Sequence, residues 1–258
     1  MTPKSLGFIG GGRITRIMLA AFAKAGQLPA QIIVSDANSE VLDKLKVEFP
    51  SIHTTADNLA PATQDMVFIA LHPPAFGSLL SDLKPCLQPN AILVSLAPRV
   101  TLKKMAESLD GFTRLARLIP NAPSIIGQGY NPIAFAAGLP PADRADLLNL
   151  LSLLGECPEV DEDKLEAYAI LTAMGPTYLW FQLYELQTIA QSFGLSAAEV
   201  QTGITKMVNG AVSTMMASGL SPEAVMDLVP VKPLADEESH IKAAYHQKLE
   251  ALYTRLKG

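Results

Sequence analysis

Near its start the chain runs Leu6-Gly7-Phe8-Ile9-Gly10-Gly11-Gly12 and passes directly into a helical pattern. A strand that turns through glycines into a helix makes an anion site. Gly10 can take the tight turn, Gly12 lets a phosphate approach the backbone, and the free N–H groups of the helix start, from Arg13 and Ile14 onward, face the anion. Ile14, Ile17, Met18, Ala21, Phe22 and Ala25 recur at helical spacing, and Gly26 stands where a helix should end. A second strand, Gln31-Ile32-Ile33-Val34-Ser35, ends at Asp36, an acid placed to hold a ribose 2′-hydroxyl. Strand, glycines, helix, strand and acid in this order predict a dinucleotide-binding βαβ unit. The third glycine position of such a turn holds Thr15, where a small residue governs how closely helix and strand pack.

The pattern continues as strand and helix in alternation. A helix is expected over 39–49, a strand near 51–54, and a buried parallel strand at Asp65–Leu71, stopped by His72-Pro73-Pro74. A helix over 75–84, a strand at 91–96, a helix over 102–109 and a strand at 113–118 follow, with short strands at 132–135 and 158–160. Repeated βα units mean a parallel, doubly wound sheet. From about Asp161 no strand pattern remains. A long helix covers 164–193, broken only by Gly175-Pro176. Ser196 with Glu199 reads as a capping box for a helix to about Ala217, Ser221-Pro222 starts a short one, and 236–256 forms the last. The fold class is therefore α/β: a Rossmann-type domain over 1–160 and an all-α domain over 161–258. Met174, Leu179, Trp180, Phe181, Leu183, Tyr184 and Leu186 surround the long helix, which must be buried on every side. A hundred residues in a few helices can hardly do that alone, so the helical domain is expected to form a homodimer or larger assembly.

Composition bounds the partners. A net charge of −5 without a basic run argues against nucleic acid, and no segment has the 18 or more apolar residues of a membrane span. The start of the chain leaves no room for a signal peptide before the first strand, and Cys86 and Cys157 lack metal-type spacing. A cytoplasmic protein with reduced thiols and no metal is expected.

Three segments point to one chemistry: the glycine turn, Arg117-Leu118-Ile119-Pro120-Asn121-Ala122-Pro123 at the carboxyl end of a strand, and Ala173-Met174-Gly175-Pro176-Thr177-Tyr178 at the helix kink. Together they resemble the pyrroline-5-carboxylate reductase family, which closes proline biosynthesis. Ile9-Gly10-Gly11-Gly12 resembles its glycine turn, and Ala70-Leu71-His72-Pro73 its Ala-Val-Lys-Pro segment, with His72 in place of Lys. Residues 117–123 are close to its Arg-x-Met-Pro-Asn-Thr-Pro, and Gly175-Pro176-Thr177-Tyr178 to its Gly-Pro-Ala-Tyr. The resemblance implies an NAD(P)H-dependent reductase of a cyclic imine acid, with an interlocked helical dimerisation domain. The family's Ser-Pro-Gly-Gly-Thr-Thr loop is replaced by Leu228–Asp236, which has no glycine and no hydroxyl. Thr172-Ala173-Met174 stands where the family has Ser-Gly-Ser.

The cofactor candidates are Gly10, Gly12, Arg13, Ile14, Ser35, Asp36, Leu71, His72, Pro73, Ala97 and Asn121. Asp36 repels a 2′-phosphate and favours NAD, while Arg13 and Ser35 pull toward NADP. Reducing an imine requires its carbon to be held against the nicotinamide and its nitrogen to be kept protonated. Thr172, Tyr178 and Asn121 are the catalytic candidates, with Asp236 a further candidate to protonate the nitrogen. Met174, Gly175, Thr177 and Lys232 are the substrate-side ones, Lys232 as a carboxylate anchor. The alternatives are an NAD(P)-binding protein of this fold without turnover, serving as a sensor or assembly factor, or a dehydrogenase of another small acid.

Overall fold

The structure, a computed structural model, describes residues 4–71 and 76–257. The chain divides into two compact units, Met1–Met174 with Leu252–Gly258, and Gly175–Ala251. The break falls at Gly175, later than the change of sequence pattern at Asp161, because Leu165 and Ala169 are buried in the core of the first unit.

In the first unit, β1 (Leu6–Ile9), α1 (Arg13–Lys24), β2 (Ile32–Ser35), α2 (Ser39–Glu48), β3 (His53–Thr55), α3 (Leu59–Ala62), β4 (Met66–Ile69), α4 (Phe76–Leu83), β5 (Ile92–Ser95), α5 (Leu102–Ser108) and β6 (Leu115–Leu118) follow in turn. Then come β7 (Gly129–Tyr130), β8 (Ile133–Phe135), α6 (Pro141–Leu151), β9 (Gly155–Glu156) and α7 (Leu165–Tyr168). The main sheet has the order β3-β2-β1-β4-β5-β6-β8. The first six strands are parallel, and β8 joins β6 antiparallel, a departure from the all-parallel expectation. Sequence order reverses between β1 and β4, the switch point at which such sheets hold a ligand.

Strand parity distributes the core. Leu6 and Phe8, Met66 and Phe68, Ile92 and Val94, and Ala116 and Leu118 point to one face, where Phe8 stacks on Phe68 at 5.0 Å. Ile9, Val67, Ile69, Leu93 and Leu115 point to the other. Arg117 has the parity of Leu115 and so enters the second face.

Helix α6 was not anticipated. Pro141 fits the first helical position, and the apolar residues Leu147, Leu148, Leu150 and Leu151 crowd one end instead of marking a stripe. The stretch at 158–160 supplies only an isolated bridge, Glu159 to Ile133. The expected long helix from Lys164 is also composite. A 3-10 turn (Glu162–Lys164) precedes α7, a π-helix (Ala169–Ala173) follows, and α8 starts at Gly175. A π turn widens the helix just ahead of Pro176 and removes the conflict between its ring and the preceding carbonyls.

The second unit holds α8 (Gly175–Ser192), α9 (Ala197–Ala217), α10 (Pro222–Asp227), α11 (Glu238–Tyr245) and a π turn (His246–Glu250). Gly194, at φ +96°, ends α8. The Ser196–Glu199 capping box and the Ser221 cap start α9 and α10 as the sequence predicts. No residue of α8 is buried within the single chain, and Phe181 and Tyr184 are 68% and 69% exposed. The final helix, α12 (Ala251–Lys257), returns to the first unit, where Leu256 packs on the core and Lys257 Nζ donates to the Asp163 carbonyl (2.7 Å).

Candidate active site

The glycine turn lies at the carboxyl end of β1. Gly10 has φ +103°, and a Cβ there would stand 2.6 Å from the Ala70 carbonyl oxygen, so only glycine fits. Gly12 differs. Its φ of −69° suits any residue, and a Cβ would meet nothing within 4 Å. Among the described residues nothing requires glycine at this position, and the space over it is open. Gly12 caps α1 with no side-chain hydrogen bond, and the first turn carries no acid, so the amides of Arg13 and Ile14 and the positive helix end face that open space. The residues present therefore fit a dinucleotide pyrophosphate.

Thr15, at the third glycine position, is fully buried and its Oγ1 donates to the Gly10 carbonyl at 2.5 Å. A hydroxyl thus braces the turn where a glycine would only make room. Asp36 Oδ2 accepts the Gly11 amide (2.8 Å), and Oδ1 accepts that of Asn38 (2.9 Å). Each carboxylate oxygen keeps a lone pair for a ribose hydroxyl. Ser35 is corrected as a phosphate ligand, because it is fully buried and its Oγ donates to Asn58 Oδ1 (2.8 Å). Arg13 is exposed. Leu71 Cδ2 lies 3.1 Å from where a Gly10 Cβ would stand, and Ala97 is buried with its amide on Ser95 Oγ (3.3 Å). His72 and Pro73 lie outside the described residues.

Arg117 is the largest fully buried side chain among the described residues. Its Nη1 meets Glu162 Oε1 at 3.0 Å and its Nη2 meets Glu166 Oε1 at 2.6 Å. The same two oxygens accept backbone amides between β5 and α5: that of Leu102, the first residue of α5, to Glu162 (2.7 Å) and that of Arg99, in the preceding turn, to Glu166 (3.3 Å). Burial pushes the Glu166 carboxyl up, but the Arg117 guanidinium and the Arg99 amide outweigh it and hold the group below the usual carboxylate range. The sequence pattern picks out Arg117 and passes over both glutamates. Their spacing of four places them on one helix side, the one signal that could have found them.

Asn121, expected in the open site, is nearly buried and its carboxamide is engaged. Nδ2 donates to the Thr172 carbonyl (3.2 Å), and Oδ1 accepts from the Tyr130 amide (3.2 Å). Its own amide donates to Asn131 Oδ1 (3.0 Å). The Thr172 hydroxyl donates to the Tyr168 carbonyl of its own helix (2.9 Å). Both residues therefore tie the exit of β6 to the π-helix.

In the second unit, Tyr178 packs edge-on against Tyr245 (5.8 Å between ring centres), and burial, helped by that neighbour, raises its phenol above the ordinary value. Thr177 and Tyr178 line a groove of about 440 Å³ with Tyr245 and Lys248. Lys232 lines another of about 790 Å³ with Glu238, Tyr245 and His246. Met174 and Gly175 stand at the π-helix exit, half-buried. Asp236 is exposed. Cys86 and Cys157 are free, and burial pushes the Cys157 thiol up to about 12, which makes it a poor nucleophile.

The sheet order, the open glycine turn and the ribose-side acid define a class: an NAD(P)-dependent oxidoreductase with a Rossmann unit followed by helices. Residues 5–99 match the family model described as NADP oxidoreductase, coenzyme F420-dependent. Over 227 residues the chain is 26% identical to the pyrroline-5-carboxylate reductase of Escherichia coli, covering 88% of this chain and 84% of that one. It is 24% identical to the Corynebacterium melassecola enzyme of the same name, over 97% of both. Among solved structures, the Coxiella burnetii pyrroline-5-carboxylate reductase aligns with TM-score 0.69 at 26% identity, over 99% of this chain and 95% of that one. The Plasmodium falciparum enzyme, solved with NADP bound, aligns with TM-score 0.82 at 19% identity, over 100% and 98%. Over nearly its whole length the chain is thus similar to pyrroline-5-carboxylate reductases.

Proposed function

We propose that the chain reduces a cyclic imine acid, pyrroline-5-carboxylate or a close relative, with NADH or NADPH. The observation that carries this reading is the start of α1 beside the Gly10 turn, where Gly12 caps the helix and leaves open space over its first amides among the described residues. Bound NAD(P)H would supply a hydride to the carbon of the protonated C=N bond, and the nitrogen would stay in the ring as a secondary amine. The amides at the start of α1 bind the pyrophosphate, and Asp36 takes the adenosine ribose. The braced exit of β6, from Asn121 to the π-helix, keeps the nicotinamide side rigid. Tyr178 stays protonated at neutral pH and is the proton-donor candidate of the second unit, with Thr177 beside it and Lys232 as a point charge for an acid group.

The working form is a homodimer or larger, in which a second copy covers α8 and α9; their exposed Phe181, Tyr184, Met215 and Met216 support this. Free cysteines suit a cytoplasmic enzyme. The test is oxidation of NADH and NADPH followed at 340 nm with pyrroline-5-carboxylate and with piperideine carboxylates, alongside the solution mass. Turnover of any of these by a dimer or larger species supports the reading. Cofactor binding without oxidation overturns it.

A further inference from the structure

Two non-glycine residues have positive φ among the described residues. Asp110, at +49°, follows α5, beside Gly111, where an aspartate is tolerated. Arg99, at +78°, has no such excuse. It follows Pro98 in the turn after β5, and proline followed by positive φ is the pattern of a type II turn, whose third residue calls for glycine. An arginine held there is strained, and such residues persist where the surroundings fix them and cluster at ligand sites. The surroundings here are the buried Arg117–Glu166 pair, with Glu166 accepting the Arg99 amide.

The Arg99 side chain is exposed and makes no ion pair among the described residues. Its place in the fold narrows what it can meet. The ribose acid stands at the end of β2 and the glycine turn at the end of β1, both on one side of the switch point. Arg99 stands at the end of β5, in the half of the sheet that takes the nicotinamide and hence the substrate. The loop Leu228–Asp236, meanwhile, contains two prolines, which donate no amide.

We infer that Arg99 is a substrate-binding residue whose guanidinium takes the carboxylate of the imine acid. This rests on the reductase reading above. A guanidinium offers two parallel donors to a carboxylate and so orients it, as a lysine point charge does not.

The test compares Arg99→Gly and Arg99→Lys with the unaltered chain. In Arg99→Gly, kcat/KM for the imine acid should fall about 10-fold or more, as expected for a lost charge-assisted pair. KM for both cofactors should stay put, and the rate with 1-pyrroline, which has no carboxylate, should not change. Because glycine suits φ +78°, the same variant should melt about 2 °C higher. Arg99→Lys should recover part of the affinity. Unchanged affinity for the acid, an equal loss with 1-pyrroline, or a lower melting point overturns the inference. So does weaker binding of NADH and NADPH together, which would place the guanidinium on the pyrophosphate, or of NADPH alone, on the 2′-phosphate. A loss confined to Lys232→Ala also overturns it. Should the unaltered chain turn over no imine acid, the reductase reading fails. Arg99 is then judged by calorimetric binding of L-proline to the cofactor-loaded protein, where equal binding by Arg99→Gly refutes it.

Discussion

Replacing Arg117 by methionine isolates what the buried ion pair does. Methionine keeps much of the apolar stem but removes the charge, leaving Glu166, with its side chain 8% exposed, holding only the Arg99 amide. Removing one partner of a buried pair costs about 3–5 kcal/mol. Glu162, with its side chain 30% exposed, can turn to water, so the lower end applies. At about 2–4 °C per kcal/mol for a chain of this size, the melting point should drop by about 6 °C or more in a calorimetric scan at pH 7.

The pH dependence carries the sharper test. In the unaltered chain the folded-state pKa of Glu166 is depressed, so its contribution is present above the unfolded pKa and is lost as pH falls through the folded one. In Arg117→Met burial is no longer outweighed and the folded pKa rises. Stability is then lost as pH rises through that value. The deficit of the variant should therefore shrink between pH 7 and pH 5, and Arg117→Met/Glu166→Gln should recover part of it at pH 7. A loss below about 1 kcal/mol, or equal deficits at the two pH values, would refute the argument.

Gly12→Ala should leave the melting point within about 2 °C, since the added methyl meets nothing, yet weaken NADH binding about 10-fold or more in a fluorescence titration. Thr15→Val deletes a buried hydroxyl bonded to the Gly10 carbonyl and should cost about 1–2 kcal/mol by denaturant unfolding, with cofactor affinity falling as the turn loosens. Asp36→Asn should shift the ratio of kcat/KM values toward NADPH and, having one oxygen for two backbone amides, also lower the melting point measurably.

The glycine turn, the first five strands and the caps Ser196 and Ser221 were legible because each rests on contacts within a few residues: a period, a glycine, a hydroxyl before a helix. The antiparallel β8 was not, since pairing direction depends on a partner distant in sequence and three apolar residues look the same either way. Helix α6 lacked a stripe. The partners of Ser35, Asn121 and Thr172 were not legible either. Each is polar, Ser35 and Asn121 at the carboxyl ends of strands and Thr172 in the π-helix, and each bonds within the fold, to Asn58, Tyr130 and Tyr168. Sequence shows which polar atoms exist, and only the fold shows which remain uncommitted. Arg99 is the converse: an arginine after a proline looks ordinary until its φ is known.

Under the proposed function Asp36 has two jobs with one carboxylate, presenting an oxygen to the ribose while tying down the Gly11 amide. A change of cofactor therefore has no isolated single step in this chain. A residue without the two carboxylate oxygens at this position loosens the turn held by the Gly11 and Asn38 amides. A lineage moving from one coenzyme to the other would have to acquire a new brace for Gly11 first, and Thr15, already braced on the neighbouring Gly10 carbonyl, is where such a prior change would be found.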